Sequence, residues 1–233
     1  MALVGIMSDA HGNTGAFDRC VQVLQERGAR SFVFLGDAVG YIPSAEVVRR
    51  LQDMGGRVRC IRGNHEALLL NGDLEAERDR VYQLAALRPL LTDEEIGFLA
   101  SWPPFLHAKM GRFNVAFVHG SPSDPTYGYV YPDTDLGPFG TPADFLFMGN
   151  SHHPFVRRSN DCCFVNVGSC GLPRDHGSLG AAATFDDDSG AVEVYRFDIE
   201  AANGRAMRGP PALHPSVVAV MSRRKDEIYG TRV

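Results

Sequence analysis

The sequence lacks any apolar run near the roughly 20 residues needed to cross a membrane, so no membrane span is read from it. Cysteines are few. The five in 233 residues, Cys20, Cys60, Cys162, Cys163 and Cys170, form an odd set with no Cys-x-x-Cys pair. This argues against both a disulfide framework and a cysteine zinc site, and leaves the thiols a packing role. No basic region precedes the apolar start of "MALVGIMSDAHGN", and polar residues follow almost at once. The segment does not read as a signal peptide, and the expected compartment is the cytoplasm. An excess of positive charge is also missing. The formal charge of −5 disfavours general adhesion to nucleic-acid polymers, although carboxylates gathered around metals add to that acidity. No internal repeat or low-complexity segment interrupts the chain. Its 44% hydrophobic and 22% charged content is that of an ordinary globular protein able to bury a core, and a single domain spanning 1–233 is expected.

The pattern that is present alternates. "ALVGIMS" is a short apolar run stopped by "DAHGN", followed by Phe17, Val21 and Leu24 at helical spacing up to Gly28. "SFVFLGD" followed by "SAEVVRRLQDM", and then "RVRCIRGNHE", repeat that plan, so the first third reads as β-α units around a parallel or mixed sheet. A helical insertion is expected over 74–103, as two helices, with "TDEE" a capping box in which Thr92 caps and Glu95 reaches back. Shorter strands are expected around 105–109, 114–119, 145–148 and 162–167, then a hairpin turning at "DDDSG". Between them, "GSPSDPTYGYVYPDTDLGPFGTP" has no period and reads as a long functional loop. The end, 213–233, reads as a short helix with a frayed basic tail packed on the domain. The expected class is α/β (α+β).

In each unit a polar cluster follows a strand, at the sheet edge where α/β ligand sites gather. Asp9 and His11 follow the first run, Asp37 the second, Asn64 and His65 the third, His119 a later strand, and Asn150, His152 and His153 stand in "GNSHHP". Taken singly, each has a bland reading as a helix cap, a turn residue or a satisfied core histidine. Taken together, five strand ends offer only Asp, Asn and His, the oxygen and imidazole donors suited to manganese, iron, zinc or nickel.

The ordered motifs "SDAHGN", "GDAVGY", "GNHE", "VHGSP" and Gly-x-Ser-His-x-Pro resemble those of the calcineurin-like metallophosphoesterases over most of the chain. "NVGSCGLPRD" and the helical pair are similar to the compact bacterial and archaeal phosphodiesterase branch, whereas Gly40 and Tyr41 depart from the Asp-Arg-Gly continuation usual in protein phosphatases. The resemblance implies a two-layered β-sheet sandwich flanked by helices and a centre of two divalent metal ions. Asp9, His11 and His152 would hold one ion, Asp37 would bridge, and Asn64 and His119 would hold the other. Two such ions polarise phosphoryl oxygens and generate a hydroxide for in-line attack. His65 takes the family position for protonating the leaving oxygen or neutralising its charge.

Asn150 stands where the family usually has a further histidine; it can still coordinate through its amide oxygen, as a poorer donor. If "GNSHHP" is extended, residues 150 and 152 share a face and His153 points elsewhere, as a wall or substrate contact. Arg174 in "LPRD" is a candidate phosphate clamp, weighed against a surface salt bridge. The expected function is phosphodiester or phosphoanhydride hydrolysis on a small phosphorylated, nucleotide-type substrate. Its alternatives are a phosphomonoesterase on small metabolites, or a binding scaffold with an impaired second metal site, as the phosphodiesterase-like subunit of the retromer coat resembles.

Overall fold

The computed structural model describes residues 3–72 and 74–233. Its first third runs β1 (Leu3–Met7), α1 (Thr14–Glu26), β2 (Ser31–Phe34), α2 (Glu46–Met54), β3 (Val58–Cys60) and α3 (Asn64–Asn71). The apolar runs of β1 and β2 are continuous because both faces are covered. Val4, Ile6 and Val33 point into one apolar cluster, while Met7, Phe32 and Phe34 point into another beneath the helices. α1 starts where Asn13 Oδ1 accepts from the Ala16 amide, and it buries Phe17, Cys20 and Leu24 against the sheet.

The expected helical pair is three helices, α4 (Ala76–Tyr82), α5 (Leu84–Leu87) and α6 (Asp93–Ala100). Gln83 at φ 54° breaks the first from the second, and Pro89 sits in the 3-10 turn that follows. The capping box at α6 forms as expected: Thr92 Oγ1 accepts from the Glu95 amide at 3.2 Å, and Glu95 Oε2 accepts from the Thr92 amide at 2.7 Å.

Next come β4 (Phe105–Met110), β5 (Phe113–Val118), β6 (Phe145–Met148), β7 (Phe155–Ser159) and β8 (Cys162–Asn166). The hairpin strands β9 (Leu179–Asp186) and β10 (Val192–Asp198), the helices α7 (Glu200–Arg208) and α8 (Pro215–Met221), and β11 (Thr231–Arg232) complete the chain. The tail is therefore not frayed. Arg196 Nη1 donates to Tyr229 O at 3.3 Å and Val233 N to Arg196 O at 2.9 Å, which draws the basic end onto the sheet as an edge strand.

Two mixed sheets result, ordered β11-β10-β9-β1-β2-β3 and β4-β5-β6-β8-β7. They stack through Val33, Leu35, Val115, Phe117, Phe147, Val165 and Phe185, with Phe147 and Phe185 ring centroids 5.6 Å apart between the layers. Helices α1 and α2 cover the outer face of the first sheet, and the long loop buries Val130 and Leu136 on the outer face of the second. Strands β1, β2 and β3 are mutually parallel, as are β5, β6 and β8. Each trio therefore delivers its C-terminal loops to one edge. Among the described residues, no helix is long and apolar enough to cross a membrane.

Candidate metal centre

The loops at that edge are joined before any side chain is considered. Asp9 N donates to Gly36 O and His11 N to Asp37 O, both at 3.0 Å, which fastens the loop after β1 to the loop after β2. Ser169 Oγ donates to Asp9 O at 2.7 Å, and Asn166 Nδ2 donates to Gly149 O at 2.7 Å, tying in the segments after β8 and β6. A Cβ at Gly149 would lie 2.2 Å from Ser8 Oγ, so only glycine permits that approach.

Side chains then converge on a small buried volume. His152 Nε2 lies 3.2 Å and His11 Nε2 3.7 Å from Asp9 Oδ1. Asp37 Oδ2 lies 3.3 Å from His119 Nε2, 3.8 Å from His11 Nε2 and 3.9 Å from His65 Nε2. Asn64 Oδ1 is 3.0 Å from His119 Nε2. Two of the candidate groups, Asp9 with His11 and His152, and Asp9 with Asp37 and His119, overlap at one carboxylate.

The tautomers follow from the far side of each ring. His11 Nδ1 faces Val39 O at 3.1 Å, His119 Nδ1 faces Leu35 O at 2.8 Å, and His152 Nδ1 faces Leu172 O at 2.6 Å. A carbonyl can only accept, so each Nδ1 carries the proton and, in the neutral ring, Nε2 presents a lone pair to the cluster. His11 Nε2 and His152 Nε2 are thus two acceptors facing each other at 3.1 Å, and the fully buried Asp9 Oδ1 has no hydrogen-bond partner. A divalent cation satisfies all three atoms, so the donor set fits such an ion.

Charge balance supports the same reading. Burial lowers His11 well below its ordinary pKa and His65 to about 4. Burial also opposes charge on His119, but Asp37 and Asp9 outweigh it and hold that imidazole up at about 10. Burial pushes Asp9 and Asp37 upward, yet His152 and His119 beside the first and His119 and His65 beside the second bring both below the usual carboxylate range. The frame collects negative charge that a cation can take over from a proton.

"GNSHHP" is not extended, which corrects the reason for choosing between its histidines. β6 ends at Met148, Asn150 and His152 both lie at φ 59°, and Ser151 N closes a turn on Gly149 O at 2.7 Å. His152 is directed inward by its Leu172 hydrogen bond and not by strand alternation. His153 is half-buried outside the convergent groups, its ring 6.0 Å from that of Tyr131. Asn150 gives its backbone N–H to Asp9 Oδ2 at 3.1 Å and its amide Nδ2 to Gly128 O at 2.7 Å. Arg174 Nη2 donates to Tyr41 Oη at 3.0 Å, and its Nε is buried without a partner.

Four neighbours have no role assigned from the sequence. Tyr41, the departure after "GDAVG", sets its ring 4.7 Å from His11 and 4.8 Å from His65, and Tyr82 lies 4.3 Å from His65. A Cβ at Gly40 would come within 2.0 Å of His65 Nδ1, so the glycine makes room for that ring. Glu66 accepts from the amides of Asp37, Ala38, Val39 and Gly63, at the base of the loops carrying Asp37 and Asn64. Only its place in "GNHE" signals it.

Stacked sheets that deliver carboxylates, amides and imidazoles to one buried edge define a metal-binding hydrolytic site. Residues 2–189 match the calcineurin-like phosphoesterase superfamily domain, and the chain belongs to that superfamily. It is 26% identical over 220 residues to MJ0912 of Methanocaldococcus jannaschii, spanning 85% of this chain and 88% of that protein. It is 25% identical over 195 residues to the phosphodiesterase YfcE of Escherichia coli, spanning 78% and 85%. The crystal structure of a metallophosphoesterase from Sphaerobacter thermophilus superposes with a TM-score of 0.78 at 25% identity, covering 94% of this chain and 98% of that one. The protein is a metal-dependent phosphoric ester hydrolase of the compact bacterial and archaeal branch.

Proposed function

We propose that the enzyme hydrolyses a phosphodiester or phosphoanhydride of a small nucleotide-type substrate at a centre of two divalent ions, with manganese, iron, zinc and nickel as the candidates. Asp9, His11 and His152 would hold one ion and Asn64 and His119 the other, with Asp37 shared between them and Asn150 a weak additional ligand. The observation that supports this reading is that Asp37 is common to two candidate ligand groups, His11-Asp37-His65 and Asp9-Asp37-His119, with its Oδ2 within 4 Å of the Nε2 atoms of His11, His65 and His119.

When bound, the ions supply Lewis acidity toward the phosphoryl oxygens and an activated water at neutral pH. The protein supplies direction. Backbone carbonyls behind the imidazoles hold each Nε2 toward the centre, and the His65 amide donates to Asp37 Oδ1 at 2.9 Å, fixing that carboxylate. His65, held between Tyr41 and Tyr82, is the group placed to assist the leaving oxygen. Arg174 offers the rest of its guanidinium fork to a non-bridging phosphate oxygen, steadied by Tyr41. Hydrolysis without a protein nucleophile is consistent with a cluster of Asp, Asn and His alone.

The bond between the Asn150 amide and Gly128 O favours a second site weaker than the first, and with it the scaffold reading as the alternative. The test is metal content after dialysis, followed by hydrolysis of bis-p-nitrophenyl phosphate against p-nitrophenyl phosphate with manganese supplied. Two ions per chain and preference for the diester are expected, and both ions should be lost in Asp37→Asn. Preference for the monoester would move the function to a phosphomonoesterase. No turnover with fewer than two ions would make the chain a scaffold.

A further inference from the structure

The long loop contains the run Tyr127-Gly128-Tyr129-Val130-Tyr131. Val130 is wholly buried under the second sheet, and the three tyrosines around it are 45%, 47% and 41% exposed. Tyrosine normally buries most of its ring, so three open ones in five residues call for a reason. The rings of Tyr129 and Tyr131 lie parallel within 9° with centroids 6.0 Å apart, and the His153 ring stands 6.0 Å from that of Tyr131, tilted to it by 54°.

This surface is fixed to the metal centre by the same turn that carries His152. Asn150 Nδ2 donates to Gly128 O at 2.7 Å and Ser151 Oγ to Val130 O at 2.9 Å. On the outer side, Thr134 Oγ1 accepts from the Tyr131 amide at 2.9 Å, while Arg157 Nη1 donates to Pro132 O at 2.8 Å and Thr134 O at 2.7 Å. The backbone that carries the rings is therefore held in place before any substrate arrives, which lowers the entropy cost of ordering the loop on binding.

We propose that Tyr129 and Tyr131 form a stacking platform for the nucleobase of a substrate whose phosphate is held at the metal centre. This rests on the phosphoesterase reading above and adds to it the part of the substrate that is recognised. The patch is sized for a small planar group. Aromatic side chains offer about 150–250 Å² each, so the two rings at these exposures present roughly 200 Å² against about 800 Å² for one side of a stable protein interface. Flat phenol faces reward any base through its π-face, which predicts tolerance among bases and discrimination against substrates with none.

The test uses the manganese-loaded full chain and two chromogenic diesters, thymidine 5′-(p-nitrophenyl phosphate) and methyl p-nitrophenyl phosphate, with kcat/KM measured for each. The wild-type protein should prefer the nucleoside ester. Tyr129→Ala and Tyr131→Ala should each reduce the ratio of the two kcat/KM values by about 5- to 150-fold, the worth of one stacked base. Tyr129→Phe and Tyr131→Phe, which keep the ring, should retain it. An unchanged ratio in both alanine variants, or no preference in the wild type, overturns the platform and leaves the phosphoesterase reading intact. If the wild type cleaves neither ester, the phosphodiesterase reading fails. The platform is then judged by equilibrium dialysis of thymidine 5′-monophosphate against 2-deoxyribose 5-phosphate. Tighter binding of the base-bearing ligand, lost in the alanine variants, supports it, and equal binding overturns it.

Discussion

Glu66 is the perturbation that tests how the centre is built. Its Oε2 accepts from the amides of Asp37 and Gly63, both at 2.8 Å, and its Oε1 from those of Ala38 at 2.7 Å and Val39 at 3.3 Å. Glu66→Gln preserves the shape and removes the symmetry. The amide oxygen can serve one pair of donors, while the amide NH2 faces the other pair donor to donor. Two charge-assisted bonds at about 1.5–3 kcal/mol each are lost, so the folded state should weaken by about 3–6 kcal/mol. For a domain whose whole stability is about 5–15 kcal/mol, that is a large share.

The assay is urea unfolding of the metal-free protein with chelator present, so that metal loss cannot contribute. It is made at pH 8, because burial and the Asp37 carboxylate push the Glu66 carboxyl up to about 7. At pH 8 the ionised form, which the four N–H donors favour, is the one compared. With a slope of about 3 kcal/mol per molar urea, the midpoint should fall by about 1–2 M. Manganese affinity of the surviving folded protein should fall about 10- to 100-fold, the usual effect of removing a group that orients ligands. A midpoint within about 0.2 M of wild type with unchanged manganese affinity would refute the idea that Glu66 sets the Asp37 and Asn64 loops.

His65→Asn should retain metal content and lower turnover by about 100- to 10,000-fold on esters with poor leaving groups, with a smaller loss on p-nitrophenyl esters. Equal losses on both would assign charge stabilisation in place of proton transfer. Asn150→His should slow loss of the second ion to chelator, because imidazole is the better donor, while costing about 1–2 kcal/mol for a histidine at φ 59°. A time course of metal content paired with a thermal melt reads both effects, and faster ion loss than wild type would remove Asn150 from the ligand set. Asp175→Asn should destabilise by about 3–5 kcal/mol by leaving the fully buried Arg196 without its carboxylate, which now receives Arg196 Nη2 at 2.8 Å. Burial pushes the Asp175 carboxyl up but Arg196 outweighs it, so its stabilisation is present above about pH 3.9 and is lost as pH falls through the lowered value. A melt series in acid that is identical for wild type and variant would contradict this.

The strands near the site were legible because β1, β2, β6 and the second half of β5 are buried on both faces and so read as apolar runs. β7 was not legible, since "FVRRS" places two arginines in an edge strand, and β11 is two residues held by Arg196 contacts that no local pattern encodes. The helical insertion was legible in kind but not in number, because its break depends on Gln83 adopting a left-handed backbone. At the site, residue types and their strand-end positions were readable. The roles of Glu66 and Tyr41 were not, because their partners lie on loops distant in sequence and, for Glu66, are backbone amides that carry no residue identity.

The backbone at the proposed ligands explains why strand-end position matters more than composition. Asp9, His11, Asp37, Asn150 and His152 all have φ between 50° and 60°, a region that costs most L residues about 1–2 kcal/mol each and Asp and Asn less. A side chain still within a strand points to one face of the sheet, where the apolar clusters lie; after a left-handed turn it can point over the strand end instead. The conformation is held by the inter-loop bonds from Asp9 N and His11 N and by Ser169 on Asp9 O. Clustering of such strain at the polar end of an apolar sandwich is itself a mark of function, since packing has no need of it. Asparagine is among the residues that hold this backbone at least cost, and at 150 its amide also secures the Gly128 loop.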